Sequence, residues 1–153
     1  MPPIYEHRQP GKAIVTLILL PLIPFSIAIA LVARRETLLP LSILLAFMLL
    51  TAWIFSSLTI RVDAQEVQFF FGPGVFRRRI PLDSISGVRV VRNAAWMGLG
   101  IHFIRGGLIY NVSGLDGIEI DLAGGKRVRV GSDEPEAAAA AIQEALARAG
   151  GRA

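Results

Sequence analysis

The chain has 153 residues, 16 basic and 12 acidic side chains, no cysteine, and 53% of its residues in the hydrophobic class. That length excludes a large multidomain enzyme, and the absence of thiols excludes disulfides, thiolate nucleophiles and cysteine-built zinc or iron–sulfur centres. Two histidines make a histidine-rich metal site unexpected as well.

The apolar excess is concentrated in the first 60 residues. Residues 13–33 form a run of 21 without a charge, and residues 37–60 a run of 24. At about 1.5 Å per residue the first run reaches about 31 Å as a helix, against a hydrocarbon core of about 30 Å. Only Arg34, Arg35 and Glu36 separate the two, enough for the polar cap of a tight helical hairpin and too few for an external domain. The expected layout is therefore an N-terminal tail over 1–12, a transmembrane hairpin over 13–60 with helices at 13–33 and 37–58, and a folded domain over 59–150. Pro21 and Pro24 are expected to kink the first span, and Trp53 and Phe55 suit an interfacial belt.

Orientation follows from the basic residues beside the spans. Arg8, Lys12, Arg61, Arg77, Arg78 and Arg79 flank the outer ends, against Arg34 and Arg35 in the loop. Six against two favours a multi-pass protein of the inner membrane with both termini in the cytoplasm. A cleavable signal peptide is the rival reading of the first segment, with Arg8 and Lys12 preceding a run that holds Ala28, Ile29 and Ala30. The length of the run, its prolines and the second span directly after it favour the anchor.

Beyond Ile60 the long apolar blocks give way to short alternating stretches, the pattern of antiparallel β-structure. Strands are expected at 58–63, around Val67, Phe69 and Phe71, and at 76–81, with Gly72, Pro73 and Gly74 as a turn between the last two. Further strands follow at 85–91, 99–104, 108–112, 118–122 and 127–130, and Gly124-Gly125 signals a hairpin. In 118–122 isoleucine, glutamate, isoleucine, aspartate and leucine alternate, which predicts one buried and one wet face. The chain closes with an alanine-rich helix beginning near Ser132 or Asp133, with Pro135 in its first turn and Glu136 completing a capping box with Asp133. Its narrow apolar stripe is expected to plug the mouth of a closed barrel of about seven strands, which would leave no exposed edge.

Two membrane helices, some seven strands and one amphipathic helix resemble the bacterial pleckstrin-homology-like proteins, a family of small membrane-tethered proteins. The local wording is similar too: Trp96-Met97-Gly98-Leu99-Gly100-Ile101-His102, then Gly107-Leu108-Ile109-Tyr110-Asn111-Val112-Ser113-Gly114, then Val130-Gly131-Ser132-Asp133-Glu134-Pro135 leading into the helix. The resemblance covers roughly residues 57–149. It implies an α+β chain in which a two-helix transmembrane hairpin precedes a pleckstrin-homology-like antiparallel β-barrel capped by a C-terminal helix. It implies no shared catalytic residues and no fixed ligand.

Arg77, Arg78 and Arg79 are the densest charge in the chain. In an extended strand Arg77 and Arg79 project one way and Arg78 the other, so the three do not serve one ligand. They are expected either to meet anionic head groups, each contributing about 1 kcal/mol near a bilayer, or to form a solvated edge that blocks strand pairing. Arg89, Arg92 and Arg105 flank the stretch from Trp96 and Met97 to Gly100. Exposed aromatics near arginines mark binding surfaces, and a Trp96 buried as a plug beneath a loop is the competing expectation. His102 is expected to be exposed beside Ile104, with Ile101 and Phe103 on the opposite face.

No nucleophile elbow or ligand spacing accompanies that histidine, and Gly98-x-Gly100 lacks the third glycine of a dinucleotide site, so neither an enzyme nor a cofactor or metal site is expected. Nucleic acid is not an expected partner. From Arg61 onward there are 12 basic and 10 acidic residues and no basic stripe interleaved with stacking aromatics. The sequence thus predicts a membrane-anchored interaction module that binds a membrane-associated protein or further copies of itself. The alternative is a sensor of anionic lipid using the arginine strand and the Trp96 loop.

Overall fold

In a computed structural model, which describes residues 3–32, 35–95 and 98–151, the first apolar run is two helices, α1 (Lys12–Leu19) and α2 (Leu22–Val32). Pro21 accounts for the break, because it has no N–H to return to the preceding turn and its ring crowds the carbonyl four residues back. The Leu20 N–H still reaches Thr16 O at 2.8 Å. Pro24 falls in the first turn of α2, where the helix needs no amide. The helix α3 (Arg35–Ile54) runs unbroken, and within it Thr37–Ile54 is long and apolar enough to cross a membrane, with mean hydropathy 2.2. Where the sequence predicts two such helices, the described residues contain one. The expected hairpin tip at Arg34 lies outside the described residues.

The predicted N-terminal tail is a strand. β1 (Tyr5–Pro10) pairs antiparallel with β2 (Ser57–Val62), Tyr5 opposite Val62 and Pro10 opposite Ser57. The chain thus enters the helices from the sheet and returns to it, with β3 (Glu66–Phe71) and β4 (Arg77–Pro81) completing a four-stranded antiparallel meander, β1-β2-β3-β4. A short 3-10 turn, Leu82–Ser84, then leads to the second sheet.

That sheet holds β5 (Ile85–Arg92), β6 (Gly100–Ile104), β7 (Gly107–Asn111), β8 (Asp116–Leu122) and β9 (Arg127–Gly131) in the order β5-β8-β9-β7-β6. All its pairs are antiparallel except β7 with β9, which is parallel. The expected closed antiparallel barrel does not form among the described residues. Two sheets of four and five strands face each other, and β4 and β6 each have one neighbour. The connection from β5 to β6 leads from one edge of the sheet to the other, and the β8–β9 hairpin then fills the space between, so chain order and spatial order part company.

Strand alternation builds the core between the sheets. Across the second sheet, Val90, Ile118, Val130, Tyr110 and Ile101 form one row and Val88, Ile120, Val128, Leu108 and Phe103 the next. From the first sheet Leu58, Ile60, Val62, Val67, Phe69 and Phe71 oppose them, none more than 1% exposed. Each such burial stabilises by roughly 1.5–3 kcal/mol. The C-terminal helix α4 (Pro135–Gly150) packs on β5 and β8 of one sheet and on β1 and β2 of the other, with Ala138, Ile142 and Ala145 inward. Its start differs from the expected capping box. The Ser132 hydroxyl accepts from the Glu134 N–H at 3.1 Å, while Asp133 meets His7 at 2.7 Å instead of capping the helix.

The head joins the helices through a tight seam. β2 begins three residues after α3 ends. The Gly11 N–H donates to Ser56 O and the Gly72 N–H to Ser57 O, both at 2.8 Å, and Phe55 packs on Phe71 and Phe76 with ring centroids 5.0 and 5.8 Å away. Both glycines are sterically required, since a Cβ on Gly11 would collide with the Phe55 carbonyl and one on Gly72 with the Ile54 carbonyl. Gly72 also sits at φ +44°, and Gly124 is a useful contrast, at φ +89° with open space around it. Gly124→Ala is expected to cost about 1–2 kcal/mol, the backbone penalty alone. Gly72→Ala adds an overpacking cost of about 1–3 kcal/mol, so thermal unfolding of the full chain in neutral detergent should rank it clearly below Gly124→Ala. Equal midpoints would contradict a tightly packed seam.

Candidate functional site

The face of the second sheet turned away from the core is charged. Register brings Arg89, Glu119 and Arg129 into one row and Asp121 and Arg127 into the next. The Glu119 carboxylate is 0% exposed and accepts from Arg129 through Oε2 and from Arg89 through Oε1. Arg89 also donates to Asp121 at 2.7 Å, Arg127 lies 3.3 Å from Asp121, and Arg129 reaches Asn93 Oδ1 at 3.4 Å. Burial works to raise the Glu119 pKa, but the hydrogen bond from Arg129 and the charges of Arg129, Arg89 and Arg127 hold it below the usual glutamate value. On the face predicted to be wet, Glu119 itself is therefore buried beneath arginines that remain partly exposed. The sequence did carry a signal for this: a Glu-x-Asp strand and an Arg-x-Arg strand joined by Gly124-Gly125 pair opposite charges across the hairpin.

The predicted site residues are dispersed. Arg92 stands at the end of β5 that faces α1, 3.9 Å from Asp116, while Arg105 lies at the opposite end, in the β6–β7 turn. Trp96 and Met97 lie outside the described residues. Among the described residues Arg105 has no carboxylate partner, and with Arg127, Arg129 and Glu119 it borders an open cavity of about 350 Å³. His102 is exposed, as expected, with Nε2 against the Leu99 carbonyl.

On β4 the three arginines split as strand alternation predicts. Arg78, opposite Phe69, turns toward the core and donates to the Tyr110 hydroxyl at 3.3 Å. Arg77 and Arg79 are exposed. The first lies over the Phe70 ring, 4.9 Å from its centroid, and the second is 4.0 Å from Glu66. The turn before them, residues 72–76, abuts the end of α3 and leaves Val75 56% and Phe76 45% exposed.

Sequence reasoning missed the open side of the sandwich. Tyr110 is on β7, the strand next to β6, and Arg78 reaches it from β4, the last strand of its own sheet. The unpaired edges of β4 and β6 therefore lie on one side of the molecule, with α4 on the other. Phe103 belongs to a core-facing row yet is 91% exposed, on the edge strand of its sheet.

Comparison with protein-family models, with curated proteins and with solved structures finds no match. The charged cluster supplies a test of its own. A depressed carboxyl pKa gives stability that is complete above the ordinary glutamate value and lost as pH falls through the folded value. Glu119→Ala, which leaves guanidinium charge uncompensated, should cost about 3–5 kcal/mol near neutral pH. Unfolding curves between neutrality and acid should show the wild type losing its advantage over the variant as pH falls, and a constant gap would contradict this role for Glu119.

Proposed function

We propose that this chain is a membrane-anchored interaction module of the pleckstrin-homology-like kind, a head that binds protein at the cytoplasmic face of the inner membrane. One observation carries the reading: α3 passes into β2 within three residues, and the head grips the end of that helix through Gly11, Gly72 and Phe55. A head held in this way keeps a fixed orientation relative to the bilayer. The apolar surface of the helices supports the same placement, since Leu17, Leu31, Leu39, Phe47 and Trp53 are each more than half exposed. In this reading α1 and α2 form the broken first arm of a hairpin, α3 forms the second, and both termini are cytoplasmic. Confinement to two dimensions raises the effective concentration of the head toward other membrane proteins, so a modest binding surface suffices.

The polar clusters fit binding better than catalysis. The buried carboxylate is held by guanidiniums from both neighbouring strands and keeps them in register, an arrangement that fixes charge rather than moving protons. The partner surface is protein, a second protein or a second copy of this chain. Nucleic acid has no counterpart in the near-balanced charge of the head.

A second reading, contact with anionic lipid, has its own observation. Val75 and Phe76 are exposed on the turn that abuts the end of α3, and Arg77 follows directly. Apolar residues at headgroup level flanked by arginine fit an anionic interface. Crosslinking in native membranes separates the two readings. The module reading predicts protein adducts that survive replacement of Arg77 and Arg79, the two exposed arginines, by glutamine. If protein adducts are absent and only lipid is labelled, in an arginine-dependent way, the module reading falls and the lipid reading takes its place.

A further inference from the structure

The side of the sandwich that α4 does not cover brings together three features. The first is a free strand edge on β6, whose outward backbone groups have no partner among the described residues. The second is Phe103 on that strand, 91% exposed although its row faces the core. The third is one-sided charge: Arg78, which turns from β4 into the opening and reaches Tyr110, and Arg105 at the far end of β6. Neither β4 nor residues 98–107 contain an acidic residue.

Native sheets ordinarily blunt such an edge by charge, by a bulge or by a covering element. Here β6 carries no charged side chain in Gly100–Ile104 and the covering helix is on the other side. From this we infer that the opening between β4 and β6 takes an extended, acidic segment of a partner protein, added to β6 as a further strand. The inference rests on the module reading above and names the chemistry of its partner. An added strand lies about 4.8 Å from β6, with side chains alternating to either face. An apolar residue of the segment packs on Phe103. A carboxylate facing the first sheet meets Arg78 at the edge of β4, and one at the segment's end meets Arg105. A second copy of this chain is the poorer occupant, because the same edge presented to itself brings arginine and no carboxylate.

Main-chain pairing supplies affinity without regard to sequence, while the arginines select charge. The test uses the full chain in uncharged detergent and a fluorescent synthetic peptide alternating valine and glutamate, with its valine–lysine counterpart as control. The glutamate peptide should bind at least about tenfold more tightly, and its affinity should fall as salt rises. Arg105→Glu and Phe103→Ser, both at exposed positions, should each weaken it several-fold without altering the melting midpoint. Equal binding of the two peptides, or variants that bind as the wild type does, would overturn the inference. A photoreactive benzoylphenylalanine at position 103 in native membranes identifies the natural occupant, with the same group at position 64 as reference. Adducts at 103 should map to an acidic stretch of another protein and fall several-fold with Arg105→Glu. Adducts to lipid or to this chain itself overturn the inference. Protein adducts at 64 alone overturn it while the module reading stands, and protein adducts at neither position remove both.

Discussion

The handover from α3 to β2 is the constraint on which the rest of the molecule depends. Two residues separate the last helical position from the first strand position, so no flexible linker decouples the head from the helix. The chain answers with close backbone contact rather than with large side chains. Gly11 and Gly72 bring β1 and the β3–β4 turn directly against the carbonyls at the end of α3, and Phe55 fills the space left beside them. Because β1 precedes the helices and β2 follows them, the first sheet is itself the clamp that holds both ends of the helical segment together.

From the seam outward the two sides of the sandwich differ in kind. On one side α4 inserts small residues, Ala138 and Ala145, between the sheets and closes the core. On the other, β4 and β6 stop short of each other, and among the described residues two strand edges without a further neighbour, an uncovered phenylalanine and Arg78, which has no carboxylate partner, come together. The face behind β6 is different again. There Glu119 and Asp121 are ion-paired with Arg89, Arg127 and Arg129 in a cluster that pins β5, β8 and β9 in register. Charge on this head therefore does two jobs according to its surroundings: paired and buried it fixes structure, and unpaired at an edge it is available to a ligand.

Features set by a short stretch of chain were legible in the sequence. The apolar run of α3, the turn at Gly72-Pro73-Gly74, the hairpin at Gly124-Gly125 and the alanine helix each follow from local composition, and the alternation of Arg77, Arg78 and Arg79 on β4 follows from strand geometry alone. What was illegible depends on distant pairing. β1 is short and mostly polar and becomes a strand only because β2, some fifty residues later, pairs with it. The order β5-β8-β9-β7-β6 has no local signature, and without it the open side and the exposure of Phe103 cannot be foreseen. Burial of Glu119 was missed because alternation says which face a residue occupies, not whether arginines from neighbouring strands will cover that face. Arg92 and Arg105 were grouped by their nearness in sequence to one loop, and the sheet holds them at opposite ends.

The chain has no native cysteine, so a nitroxide on one introduced cysteine reports a single place. Placed in turn at Phe47 on the exposed surface of α3, at Phe76 beside the seam and at Ala64 in the β2–β3 turn, it gives the depth of each in a reconstituted bilayer. The account predicts that a label at 47 meets lipid-soluble oxygen and not an aqueous nickel chelate, that one at 76 lies at headgroup depth, and that one at 64 is open to the chelate. A label at 47 as accessible to the chelate as one at 64 would contradict it.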